Sequence, residues 1–401
     1  MTTHMPHTST STPAPAPAPA PTSSTTPATA TAATATPAPA SAGILGAADF
    51  PGGERQLEDL LATPSPALVA DLARLDGDLV VLGAGGKMGP SMCRLARRAL
   101  DAAGRGDLAV HAVSRWSDRA AADALAAEGV RPVAFDLLDG DPAELPDAGN
   151  VIFMVGAKFG SAGNPAHAWA VNAALPDRIA RRYRDARIAA FSTGNVYPLV
   201  DTASAGSAET DPVGPVGEYA MSCLGRERVL GHHAAEHGTR VALLRLNYAI
   251  DLRYGVLADI ASTVHAGEPV DVTTGHANVV WQGYANEVAL RALLHADADV
   301  FTLNLTGPET ASVRRLAHLF AEEFGRPDAG RAGEVDAEQA SLTTGQESGT
   351  ALLSDASRCH ALFGYPPVPL RTLVGWQAEW IRRGLPLSGR PTKFHVRDGR
   401  F

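Results

Sequence analysis

The sequence Leu79-Val80-Val81-Leu82-Gly83-Ala84-Gly85-Gly86-Lys87-Met88-Gly89 sets four uninterrupted aliphatic residues directly before a glycine-rich turn. An aliphatic run without polar alternation suits a strand buried on both faces of a parallel sheet. The turn reads Gly-x-x-Gly-x-x-Gly over Gly83, Gly86 and Gly89, and the apolar spacing of a helix resumes at Met88. Glycines at a strand–turn–helix junction let the backbone approach a pyrophosphate, and the helix N-terminus offers free N–H groups to it. The junction therefore predicts a dinucleotide site built from Gly83, Gly85, Gly86, Lys87, Met88 and Gly89.

Outward from this turn, strand and helix patterns alternate as in a doubly wound α/β domain. Strands are expected over 79–82, 108–113, 131–135, 151–155, 188–192 and 241–246, with helices over 88–100, 119–128, 166–182 and 219–237. Residues 1–42 are almost all Ala, Pro, Thr and Ser, a composition that cannot bury enough apolar surface to offset its ordering entropy. That stretch is expected to be disordered and carries no secretory-signal pattern. Residues 43–75 form a helical lead-in, with an amphipathic helix over 65–75. The dinucleotide domain is expected over 76–250, and a smaller substrate-binding lobe over 251–401.

Composition excludes several classes. The chain has 401 residues, 45% hydrophobic and 19% charged, with net charge -9. Nucleic-acid binders carry basic stripes, so this acidic balance argues against nucleic acid as a partner. No apolar run approaches the roughly 20 residues of a membrane span. Cys93, Cys223 and Cys359 are too few and too scattered for a disulfide framework or a zinc site, and the thirteen histidines show no ligand spacing. No metal is expected, and a cytoplasmic setting fits the free thiols. Lysine occurs only at 87, 158 and 393.

Several motifs in order resemble the extended short-chain dehydrogenase/reductases, the NAD-dependent epimerase/dehydratase family. They are the glycine turn, Asp136-Leu137, the strand Val151-Ile152-Phe153-Met154-Val155-Gly156-Ala157-Lys158, Asn172, and Phe191-Ser192-Thr193-Gly194-Asn195-Val196-Tyr197. Glu209, Pro212 and Pro215 then lead to Tyr219, as in that family. The resemblance covers about residues 76–385 and implies a Rossmann domain with a C-terminal lobe. It places Asp136 and Leu137 beside the adenine, and Val155, Gly156, Lys158, Asn172 and Tyr219 along the cofactor. It also makes Tyr219 the acid/base and Thr193 the catalytic hydroxyl, and implies a homodimer.

The sequence departs from its relatives at one position of the catalytic motif. Tyr219-Ala220-Met221-Ser222-Cys223 carries cysteine where the family's Tyr-x-x-x-Lys has lysine. A thiol cannot supply the fixed positive charge that lowers the tyrosine's pKa. Lys158 is a candidate substitute. Cys223 is read either as a thiol nucleophile or as a small buried hydrophobe.

Cofactor choice turns on the end of the second strand, where NAD enzymes place an acid and NADP enzymes an arginine. Ser114-Arg115 stands there, with Asp118 the nearest acid, which favours NADP and leaves NAD open. The family's dehydratases place Asp-Glu after the catalytic threonine, whereas this chain has Gly194-Asn195. The segment 275–282 also lacks the arginine that nucleotide-sugar enzymes use for the diphosphate. Expected substrate contacts are Asn195, Tyr248, Asp251, Arg253, Tyr254, Trp281 and Gln282. The expected function is an NAD(P)-dependent oxidoreductase or epimerase acting on a carbohydrate-like small molecule. The alternatives are a weakened NADP-binding sensor and a non-redox isomerase or lyase that keeps its cofactor.

Overall fold

A computed structural model describes residues 1, 43–326, 341–390 and 392–401. Disorder over 1–42 therefore falls outside the described residues. The described residues from 43 onward fall within one compact unit.

Seven parallel strands make the central sheet: β1 Leu79–Leu82, β2 Val110–Ser114, β3 Arg131–Ala134, β4 Asn150–Phe153, β5 Arg187–Thr193, β6 Arg240–Leu246 and β7 Phe301–Leu305. Their order is β7-β6-β5-β4-β1-β2-β3. Strand order reverses between β1 and β4, so the crevice beyond their carboxyl ends is where such sheets bind ligands. Register brings these ends level, with Leu82 opposite both Val113 and Phe153. The aliphatic run of β1 explains the central strand, because Leu79 and Val81 enter one apolar core and Val80 and Leu82 the other.

Helices cover both faces. On one, α1 Glu54–Leu61 and α2 Pro66–Leu72 bury Leu57, Leu61, Leu68 and Leu72 with α3 Gly89–Ala102. The helix expected over 65–75 is α2, started by the Ser65 hydroxyl, which accepts from Leu68 N–H; the structure adds α1. Next, α4 Arg119–Ala127 joins β2 to β3. The helix expected over 166–182 is interrupted: α5 Pro165–Trp169 and α6 Leu175–Arg182 flank a π-helical turn, Ala170–Ala174. Such turns recur at functional sites because they reposition one side chain, here Asn172. The second face also carries α7 Gly217–His237, stopped by left-handed Gly238.

Beyond residue 250 come α8 Val256–Ala266, α9 Gln282–Ala292, α10 Val313–Glu323, α11 Ser357–Phe363 and α12 Leu370–Arg382. The chain returns to the sheet once in this region, as β7. The segment 392–401 folds back over the cleft. Asp259 on α8 accepts from the Thr392 N–H and hydroxyl, and Phe394 is buried in the core.

Candidate active site

Two cavities run along the carboxyl ends of the strands. One, about 340 Å³, lies over β1–β3 and is lined by Gly85, Gly86, Ser114, Arg115, Asp136 and Leu137. The other, about 310 Å³, holds Lys87, Met88, Lys158, Thr193, Asn195 and Tyr219. Gly83, Gly86, Val155 and Gly156 border both. Gly83 turns the chain with φ +91, and a Cβ there would meet Val155 at 3.1 Å. Gly89 acts differently from its neighbours. A Cβ on it would lie 2.2 Å from Ala84 carbonyl oxygen, so it lets α3 pack against the turn.

At the reaction end, Thr193 closes β5 and Tyr219 opens α7. The Thr193 hydroxyl accepts from the Asn195 backbone N–H at 3.2 Å and from Asn195 Nδ2 at 3.0 Å. With its acceptor side so engaged, its proton is available to donate. Burial pushes the Tyr219 phenol well above its ordinary value, and neighbouring Cys223 pushes the same way. The nearby Thr193 hydroxyl and the charge of Arg226 pull it down. The phenol is thus a protonated group in the free protein. Phe401 packs edge-on against it, with centroids 5.5 Å apart.

Cys223 is buried beside Val196 and Tyr197, and burial raises its thiol pKa, so it sits as a neutral hydrophobe. Lys158 Nζ donates to Thr392 carbonyl oxygen at 3.3 Å and stands 4.5 Å from the Phe401 ring centre. Burial lowers its pKa to about 8, aided by Lys393. Lys87 reaches across the cleft to Ala249 carbonyl oxygen at 3.1 Å and lies over the Tyr254 ring; burial lowers it to about 8 as well. Asn172 stands behind the cleft, bonded to both the N–H and the carbonyl of Ala157 and to the Ser222 hydroxyl.

Not every expected contact comes together. Tyr248 and Tyr254 line the reaction cavity, and Tyr248 holds a strained φ of 37. Trp281 does not line it; it is packed in the core against Trp376. Gln282 is fully buried and donates to Ser91 Oγ. Arg253 is paired with Glu58 and Asp251 and borders a different hollow, beside α8. Its fork is committed, so it anchors α1 and not a substrate in this cavity. Asp251 is buried and caps the Arg253 and Tyr254 N–H groups. Sequence reasoning missed Arg226 and Phe401. The first was readable, because positions 219, 223 and 226 share one helix face; the second has no local signal.

Behind the site, Glu227 accepts from the Ser192 hydroxyl at 2.6 Å and forms a two-point ion pair with Arg245, at 3.0 and 2.7 Å. Arg245 also donates to the Tyr197 hydroxyl. This network fixes the end of β5 on which Thr193 stands. Among the described residues no acidic, histidine and cysteine cluster is arranged for a metal, and no helix is long and apolar enough to cross a membrane.

The fold and the cleft define a Rossmann-type α/β protein with a tyrosine and a threonine hydroxyl at the switch point. Residues 79–302 match the NAD dependent epimerase/dehydratase family, and the chain belongs to that family of enzymes. No curated protein matches it. Among solved structures it is similar to MoeE5 in complex with UDP-glucose and NAD, at 19% identity and TM-score 0.57, covering 77% of this chain and 99% of that one. It is also similar to UDP-glucose 4-epimerase from Thermotoga maritima with UDP-glucose, at 17% identity and TM-score 0.58, with 77% and 99% covered. UDP-glucuronic acid 4-epimerase from Bacillus cereus, in complex with UDP-glucuronic acid and NAD, is 16% identical with TM-score 0.59, with 76% and 99% covered. At these identities the likeness is one of fold.

Proposed function

We propose that the paired cavities hold a nicotinamide dinucleotide and that the protein is a hydride-transfer enzyme, an oxidoreductase or epimerase, acting on a carbohydrate-like small molecule. The juxtaposition of Tyr219 and Thr193 in the reaction cavity carries this reading. The cradle fits the group: Gly86 faces both cavities with only Gly83 carbonyl oxygen near its missing Cβ, and Lys87 supplies positive charge beside it. Arg115 is exposed at the end of β2 and pairs with no carboxylate among the described residues, while Asp118 caps α4 through Ala121 N–H. A 2′-phosphate is therefore the better guest there, which favours NADP over NAD.

When bound, the nicotinamide supplies or takes the hydride. The chain's own groups handle the proton. Thr193 donates a hydrogen bond to the substrate oxygen, and Tyr219 exchanges the proton with it. A phenol held protonated by burial serves first as a donor, which suits reduction of a carbonyl. Lys158 adds positive charge at the cavity wall and, with Asn195 and Tyr248, faces the substrate.

The reaction cavity is bounded by Leu352 and Thr392, and Phe401 packs against Tyr219 beside it. A free sugar, sugar acid or polyol derivative suits such a space. The missing lysine keeps a second reading in play, a dinucleotide-binding sensor without turnover. Exposed Trp169, Val216 and Met221 on and beside α5 and α7 fit a homodimer through this face. A screen of sugars and sugar acids that follows NADPH absorbance separates the readings. Turnover that falls at least about 100-fold in Tyr219→Phe supports the enzyme; equal turnover in that variant would refute it.

A further inference from the structure

Arg226 is an unusual buried cation. It is 4% exposed and lies on α7 one turn beyond Cys223 and two turns beyond Tyr219, on the same face. Its guanidinium donates to Val155 carbonyl oxygen at 2.8 Å, to Phe191 carbonyl oxygen, and to Asn172 through both its carbonyl oxygen and Oδ1. All of these acceptors are neutral, and no carboxylate pairs with it among the described residues. The neighbouring acid, Glu227, is already held by Arg245 and Ser192. A buried charge without a counter-ion is costly, so its field extends into whatever it faces. Arg226 faces the reaction cavity, whose wall it forms together with Thr193 and Tyr219.

The other two cations of the cavity are different in kind. Lys87 and Lys158 sit where burial loosens their protons, both near pH 8. A guanidinium does not deprotonate in proteins, so Arg226 alone supplies a charge independent of pH. The groups around Tyr219 are Cys223 and Arg226 on its own helix and Thr193 from β5. Lys158, beyond Cys223 and Phe401, faces it from the end of β4, with Lys393 behind.

We propose that Arg226 is the fixed cation of this site, a positioning residue that stands in for the lysine absent at position 223. It acts through Tyr219, favouring the phenolate, and through the field at the cavity wall. Asn172, set by the π-helical turn, and the strand-end carbonyls of Val155 and Phe191 hold its fork in place. This inference rests on the reading of the cleft as a nicotinamide site.

The test is the ratio of dissociation constants for oxidised and reduced cofactor, with NADP⁺/NADPH and NAD⁺/NADH titrated into the full chain. A fixed positive charge at the cavity disfavours the cationic oxidised ring. Arg226→Met should therefore lower the Kd ratio, oxidised over reduced, on the order of tenfold. Cys223→Lys added to that variant should restore it. The pH of half-maximal turnover should rise in Arg226→Met and return in the double variant. A scaffold arginine would weaken both cofactor forms alike, so an unchanged ratio in a folded Arg226→Met protein would overturn the inference. So would a double variant that restores nothing. Should Arg226→Met fail to fold, Arg226→Lys and Arg226→Gln make the same comparison. The lysine variant must keep the wild-type ratio and the glutamine variant must lose it, and equal ratios in the two would overturn the inference. Wild-type protein that bound neither dinucleotide would overturn the reading of the cleft, and this inference with it.

Discussion

At Gly194 there is no room for a side chain, because a Cβ would stand 1.7 Å from Asn247 Oδ1. The Asn247 amide fills the space that a side chain there would need. Gly194→Ala should cost about 1–3 kcal/mol in urea unfolding, the usual price of overpacking a closed site. Lys158 gives a pH-dependent prediction. Its folded pKa is lowered from 10.5 to about 8, so the folded state binds fewer protons than the unfolded state between these values. Its burial cost is fully present below pH 8 and fades as pH rises towards 10.5. Lys158→Met should therefore raise the melting temperature at pH 7 and raise it less at pH 10. An equal gain at both would contradict this. Tyr219 and Thr193 were legible in the sequence because their motifs are spaced along one strand end and one helix. Trp281 and Gln282 were not, because a tryptophan sealing a core and one lining a cleft have the same local pattern.

Among the elements, α7 contributes both Tyr219 and Arg226 to the reaction cavity. Cys223 packs between them against Val196 and Tyr197, while Glu227 locks α7 to β5 and β6 through Ser192 and Arg245. Glu227→Gln would leave a buried guanidinium half-paired. It should cost about 3–5 kcal/mol of stability and loosen Thr193, which denaturant unfolding and KM would report. The strands were readable because a parallel sheet covered on both faces demands uninterrupted apolar runs, and β1, β4, β5 and β6 each contain one. The π-helical turn at Asn172 was not, since one extra residue in a helix leaves the apolar spacing almost unchanged.

For the molecule as a whole, the segment 392–401 completes the cleft from far away in sequence. Thr392 meets Lys158 and Asp259, and Arg397 ties the segment to Thr350. The Phe401 ring packs edge-on against Tyr219 beside the reaction cavity. No local pattern announces such a contact, so sequence alone gave no sign of it. Phe401→Ala should open the space beside Tyr219, lower the melting temperature and raise KM for a small sugar more than it lowers kcat. A cleft built to hold a nicotinamide dinucleotide in front of Tyr219 and Thr193 must take one up in solution. Native mass spectrometry of the purified protein, followed by titration with NADP, NADPH, NAD and NADH, measures this uptake. One dinucleotide per chain is expected, either carried through purification or bound on titration, with the phosphorylated form preferred. A bare chain that takes up none of the four would contradict it.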